Sequence, residues 1–239
     1  MQKYTIMGIF AHPDDESFGP GGTLAKYAHL GHKVITITAT RGQAGQSSDK
    51  QIIRDTGYHR EQELRRAAKV LGVKKTIVLD FFDGTLNEHQ LPVLKKLIAH
   101  EARRYKPDVI ITYERNGISL HIDHIAVSKA VTQLIDEGKI KPKKFYYFGL
   151  GREMAVFAKR NCYLDDNKLA KIDIKDYWKT KLKAIEMHAS QDKDFKRIIE
   201  RNEQVKKQGY SFWSYEHFEL YHATLKKITF PETDLLNGL

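Results

Sequence analysis

Apolar residues recur along this chain in two alternating rhythms. Short dense apolar runs predict strands over 4–11, 33–40, 76–80, 109–113 and 144–148. Between them, apolar positions three and four apart predict helices. One covers 23–30 and is closed by Gly31. Another covers 58–71, with Leu64, Ala67, Ala68 and Leu71 on one face and Gly72 after it. A third covers 87–105, with Leu91, Leu94, Leu97 and Ile98 on its apolar face, and a fourth covers 121–136. A polar loop rich in Gly, Gln and Ser spans 41–55, a length that often carries function. After about residue 150 the rhythm loosens. A short strand over 172–174, helices over 177–188 and 195–206, and an aromatic-rich strand within 212–223 are expected there.

Strands separated by helices of this length imply right-handed crossovers and a parallel sheet covered on both faces. The expected fold is therefore α/β: a Rossmann-like three-layer α/β/α arrangement with a mainly parallel sheet. Residues 1–239 are expected to form one domain, with 150–239 as a small C-terminal cap. In such sheets, sites form outside the carboxyl ends of the strands, near the point where strand order reverses.

Two segments place unusual chemistry at that edge. Ala11-His12-Pro13-Asp14-Asp15-Glu16 follows the first strand, and His121-Ile122-Asp123-His124 follows the fourth. Together they supply three histidines and four carboxylates, the makings of a divalent metal site with a spare carboxylate for proton transfer. His12 and Asp15 are three apart, so a turn brings both to one side. A third ligand from the second segment, His121 or His124, would complete an open site. Asp14 is the candidate proton acceptor, because it adjoins a ligand without needing to be one. Asp123 suits the orienting of a histidine ring nitrogen. His29, His32, His59, His89 and His100 have no such partners and are expected on the surface or in packing.

Composition narrows the choices. The chain has 239 residues, one cysteine (Cys162) and a formal net charge of +10. A single cysteine excludes an internal disulfide and a thiolate metal cluster, so any ion must rely on His and carboxylate ligands. It also suits a cytoplasmic location. Zinc is the expected ion, and iron or cobalt can substitute in such a donor set. No apolar run nears the roughly 20 residues of a membrane span. The first residues lack the apolar stretch and cleavage site of a signal peptide. Lysines and arginines are spread along the chain and do not interleave with aromatics, so neither nucleic acid nor membrane is expected as a partner. A basic nucleic-acid-binding protein is the non-enzymatic alternative. A nucleotide-binding domain is disfavoured, because His-Pro-Asp-Asp stands where Gly-x-Gly-x-x-Gly would be and its carboxylates repel phosphates.

At these residues the chain resembles the LmbE-like, or PIG-L, de-N-acetylase family. Further segments carry the likeness: Thr40-Arg41-Gly42-Gln43-Ala44-Gly45, Arg60-x-x-Glu63-Leu64, Asp80-Phe-Phe-Asp83-Gly-Thr-Leu86, and 183–191 with His188-Ala-Ser190-Gln191. It covers roughly residues 4 to 191. The resemblance implies that His12, Asp15 and His124 bind the metal and that Asp14 is the general base. It also implies that His121 stabilises the oxyanion and protonates the leaving amine, and that Arg60 and Asp83 contact a sugar. Leu120 and Ile122 stand where the family often has Gly and Pro, which would reshape the pocket. The implied activity is zinc-dependent removal of acetyl from an N-acetylglucosamine-type small molecule. The His-Pro-Asp-Asp-Glu-Ser-Phe-Gly-Pro-Gly-Gly-Thr stretch looks most like the branch that acts on N-acetylglucosaminyl malate in bacillithiol synthesis. An esterase, or a deacetylase of a non-sugar amide, would use the same site. The oligomeric state stays open, a homo-oligomer included.

Overall fold

A computed structural model describes residues 2–45, 55–157, 163–191, 196, 199–200, 202–203, 214–225 and 227–239. The strands are β1 (Thr5–Phe10), β2 (Lys33–Thr40), β3 (Lys75–Phe81), β4 (Val109–Tyr113), β5 (Lys144–Gly149), β6 (Leu169–Asp173) and β7 (Tyr215–Ala223). The α-helices are α1 (Asp15–Phe18), α2 (Gly21–His29), α3 (Thr56–Val70), α4 (Leu91–Tyr105), α5 (Ile122–Asp136), α6 (Arg152–Phe157) and α7 (Trp178–Glu186). The seven strands form one sheet in the order β3-β2-β1-β4-β5-β7-β6. Neighbours from β3 through to β5 run parallel, and β7 runs antiparallel to both β5 and β6.

The expected α/β fold is the observed one. Every residue of β4 is buried, as is the rest of β1 after Thr5. That is what strands covered on both faces require. Helices α2, α3 and α7 pack together, with Ala25, Ala67, Leu71 and Ala184 as their apolar contact. Helices α4 and α5 pack against each other. Strand order reverses between β1 and β4, so a cleft opens where their carboxyl ends diverge. Both chemistry-bearing segments emerge there.

Residues after 150 extend the same sheet. Strand β7 pairs with β5, β6 pairs with β7, and α7 joins the α2–α3 layer. The helix expected from residue 87 begins at Leu91, with Pro92 in its first turn. Proline's fixed φ and missing N–H suit that position, and the preceding residues form a turn instead. The helix expected over 195–206 and residues 46–54 of the polar loop lie largely outside the described residues, as does Cys162. No helix among the described residues is long and apolar enough to cross a membrane.

Candidate metal and proton-transfer site

β1 runs out at Phe10, and the chain turns sharply through Pro13 into the one-turn helix α1. Asp14 makes the turn with φ 112 and ψ −30. Asp15 then comes back toward His12. Its Oδ2 accepts the His12 N–H at 2.7 Å and lies 3.6 Å from His12 Nδ1. Helix α5 brings the second segment. His121 caps its start, with Nδ1 accepting the Asp123 N–H at 3.2 Å, and His124 lies in the first turn.

Three donors converge. His12 Nδ1 and His124 Nε2 are 3.1 Å apart, and Asp15 Oδ1 is 3.3 Å from His124 Nε2. Four-coordinate zinc with bonds near 2.0–2.1 Å has ligand atoms about 3.3 Å apart, so this spacing fits one shared ion. The tautomers agree. His124 Nδ1 lies 3.0 Å from the Gly117 carbonyl, which only accepts, so Nδ1 holds the proton and Nε2 presents a lone pair. His12 Nε2 lies between two carboxylates, at 2.9 Å from Asp83 Oδ1 and 3.1 Å from Asp123 Oδ2. It therefore holds the proton, and Nδ1 offers its lone pair to the trio. Two nitrogen lone pairs facing each other at this distance repel unless a cation lies between them.

Two overlapping groups have spacing that fits an ion: His12 with His121 and His124, and His12 with Asp83 and Asp123. Backbone bonds separate the roles in the second. Asp123 accepts Gly84 N–H at 2.7 Å and Leu86 N–H at 2.9 Å, and Asp83 accepts Ala44 N–H at 3.1 Å. Their charge is met by those amides and by the His12 N–H, the arrangement of carboxylates that orient a ligand.

The charges follow from this packing. Burial alone would lower the His12 pKa, but with no ion on Nδ1 its bonds to Asp123 and Asp83 and the charge of Asp15 push it up to about 10, so an ion that takes the Nδ1 lone pair displaces a proton. Burial also opposes ionisation of Asp15, Asp83 and Asp123. In Asp15 the charges of His124 and His12 outweigh it, and in the other two the bond to His12 does, so all three are held low. Asp14 is different. Burial pushes it up to about 7, against the pull of Arg60. His121 is lowered by burial first, and then by the neighbouring His12 and His124. With Nδ1 taken by the Asp123 amide, its Nε2–H is left to donate into the cleft.

Arg60 is 4% exposed. Its guanidinium donates to Asp14 Oδ2 at 2.9 Å, Pro13 O at 2.7 Å and Gly42 O at 3.0 Å. Asp83 is equally committed, to His12 and Ala44. Leu120 and Ile122 flank His121 and are 61% and 53% exposed, so their side chains stand in solvent rather than in the core.

Two residues here carried no role in the sequence reading. The Tyr113 ring stacks on His124 at 4.2 Å and 11°, and its hydroxyl donates to Asp15 Oδ2 at 2.5 Å. Its place at the end of the fourth strand was visible in the pattern, but its partners were not. Glu114 is buried and accepts the amides of Asn116 and Ile118 at 2.8 and 2.7 Å, shaping the loop that leads to His121.

Known proteins resemble this chain in sequence and in fold. The sequence signature of the PIG-L family, described as GlcNAc-PI de-N-acetylase, matches residues 7–135. A probable N-acetyl-alpha-D-glucosaminyl L-malate deacetylase 2 of Bacillus anthracis is 27% identical over 189 residues, covering 78% of this chain and 80% of the relative. The N,N'-diacetylchitobiose deacetylase of Pyrococcus horikoshii superposes with a TM-score of 0.69 at 22% identity, covering 91% of this chain and 84% of that one. GalB, the 4-carboxy-2-hydroxymuconate hydratase of Pseudomonas putida, superposes with a TM-score of 0.70 at 18% identity, covering 95% of this chain and 100% of that one. The fold thus hosts more than one reaction, and the site must carry the argument about activity. The family signature spans more than half of the sequence and contains both chemistry-bearing segments, and the chain belongs to the PIG-L (LmbE-like) de-N-acetylase family.

Proposed function

We propose that this protein is a metal-dependent amide hydrolase that removes acetyl from an N-acetylglucosamine-type small molecule. The observation that carries the reading is the convergence of two histidine lone pairs and one carboxylate on a single point, with a separate carboxylate, Asp14, beside them.

His12, Asp15 and His124 would hold the ion. When bound, a divalent metal supplies Lewis-acid polarisation of the acetyl carbonyl and acidifies water. The protein's own groups do the rest. Asp14, aimed by Arg60, takes the proton of the attacking water. His121 Nε2–H donates a hydrogen bond to the developing oxyanion; with Nδ1 held as an acceptor by the Asp123 amide it has no second proton to give, so the proton that Asp14 took from water passes to the departing amine. Asp123 and Asp83 keep the His12 proton on Nε2, so that Nδ1 stays a ligand. Zinc is the proposed ion. A cytoplasmic location and an N-acetylglucosaminyl malate substrate belong to the same proposal, the latter supported by the named activity of the Bacillus relative.

The test is metal analysis of the purified protein, followed by a screen of N-acetylglucosaminyl malate, N,N'-diacetylchitobiose and N-acetylglucosamine. Amine release from at least one, abolished by chelation and restored by zinc, is the expected result. Turnover that survives complete metal removal would refute the reading.

A further inference from the structure

Asp14 occupies a left-handed backbone conformation that a non-glycine residue keeps only where its surroundings hold it. Two arms do so. Arg60 grips the carboxylate. On the other side, the Asp14 N–H donates to Glu16 Oε2 at 3.1 Å. Glu16 is fully buried, and a buried carboxylate is costly unless donors surround it. A second donor, after the Asp14 amide, is its neighbour Ser17, whose Oγ donates to Glu16 Oε1 at 2.6 Å. The third comes from far along the chain. His188 Nε2 lies 2.9 Å from the same Oε1 and 3.3 Å from Ser17 Oγ. A carboxylate only accepts, so Nε2 carries the proton.

His188 is 1% exposed, and its Nδ1 has no partner among the described residues. The ring's polar contacts among those residues are therefore at Nε2. The turn that bears it is pinned in place. The buried Glu63 carboxylate accepts Ser190 N–H at 2.9 Å and Ser190 Oγ–H at 2.6 Å. Arg60 and Glu63 are three apart on α3, so one helix face anchors both arms that reach Asp14.

We infer that His188 is a positioning residue for the proton-transfer carboxylate: through Glu16 it fixes the Asp14 backbone and hence the direction of its side chain. This rests on the reading of Asp14 as proton acceptor. An apolar residue would fill the same volume but would leave Glu16 short of a donor and free to release the Asp14 amide.

His188→Asn and His188→Gln separate hydrogen bonding from packing. Asparagine places its amide near the Nδ1 position and falls short of Glu16, whereas glutamine reaches the Nε2 position. In zinc-loaded enzyme acting on the amide that turns over in the screen above, H188N should lower kcat by about 10- to 100-fold, with KM and zinc content unchanged. H188Q should recover most of that loss. H188N should add little on a D14N background, because both act on one group. Glu16→Gln preserves volume but sets an NH₂ against one of its two N–H donors, and it should show the same kcat-against-KM split.

Wild-type kcat in H188N or E16Q, with D14N inactive, overturns this inference and leaves the proposed function standing. Wild-type turnover in D14N overturns both. A crystal structure of H188N decides without any substrate. Asp14 out of its left-handed conformation, or its carboxylate off Arg60, supports the inference, and an unmoved Asp14 overturns it.

Discussion

His12 works with both ring nitrogens, and that division controls the site. With Asp83 and Asp123 holding a proton on Nε2, the opposite nitrogen is the one left for an ion. Asp123→Asn weakens that hold and sets an amide N–H against the Gly84 or Leu86 N–H. Chelator competition should show metal affinity lower by about 10- to 100-fold, the usual cost of losing a group that orients a ligand. Unchanged affinity would remove Asp123 from that role. His124→Ala takes away one of three donors, and metal analysis after dialysis should find the ion lost; full stoichiometry would exclude His124 as a ligand. Asp14→Asn should behave in the opposite way. It keeps the metal, and kcat falls by on the order of 10²-fold or more, as for a missing general base.

At the scale of elements, the loop between β4 and α5 decides where His121 and His124 stand. Gly117 has φ 69, and a Cβ there would come within 2.6 Å of the His124 Cβ. Its carbonyl also sets the His124 tautomer. Ile118 and Leu120 follow at φ 63 and 65, conformations that bulky residues rarely adopt, and Glu114 holds the amides of Asn116 and Ile118. Gly117→Ala meets both the left-handed penalty, about 1–2 kcal/mol, and the contact with His124. Urea unfolding should record at least that loss of stability, and metal affinity should fall with it. A variant as stable as the parent, with normal metal affinity, would show that the loop tolerates more freedom than this packing allows.

At the scale of the molecule, C-terminal residues pin the start of β5. Lys144 on β5 is fully buried. Its Nζ reaches Glu232 Oε1 at 2.5 Å, while Tyr146 donates to Glu232 Oε2 at 2.6 Å. Glu232→Ala strands a buried ammonium and should cost about 3–5 kcal/mol, read as a lower urea midpoint; the double variant Lys144→Met with Glu232→Leu should regain much of it. His32 gives the fold a pH response. Burial lowers its pKa, with Lys3 adding to the effect and Asp234 opposing it, and its Nδ1 accepts the Tyr4 N–H. The unfolded chain binds this proton more readily than the folded one. The contribution of neutral His32 is therefore complete above the unfolded value of about 6.5 and is lost as pH falls below it. His32→Asn, whose Oδ1 can still accept from Tyr4, should flatten the fall in Tm between about pH 7 and pH 5. An unchanged slope would assign that response to other groups.

Local pattern was enough to read the five parallel strands, most of their helices and the two segments at the sheet edge, because strand and helix periodicity and turn residues are short-range properties. Which ring nitrogen faces which partner was not readable, because it depends on atoms more than 70 residues away. His12 meets Asp83 and Asp123, Tyr113 meets Asp15, and His188 meets Glu16 only once the chain has crossed the sheet. The placing of β7 between β5 and β6 has the same origin: antiparallel pairing is chosen by which sheet edge is open, and no window of sequence contains that information. The residues that can do chemistry were thus written along the chain, while their protons, directions and supports were assigned by packing.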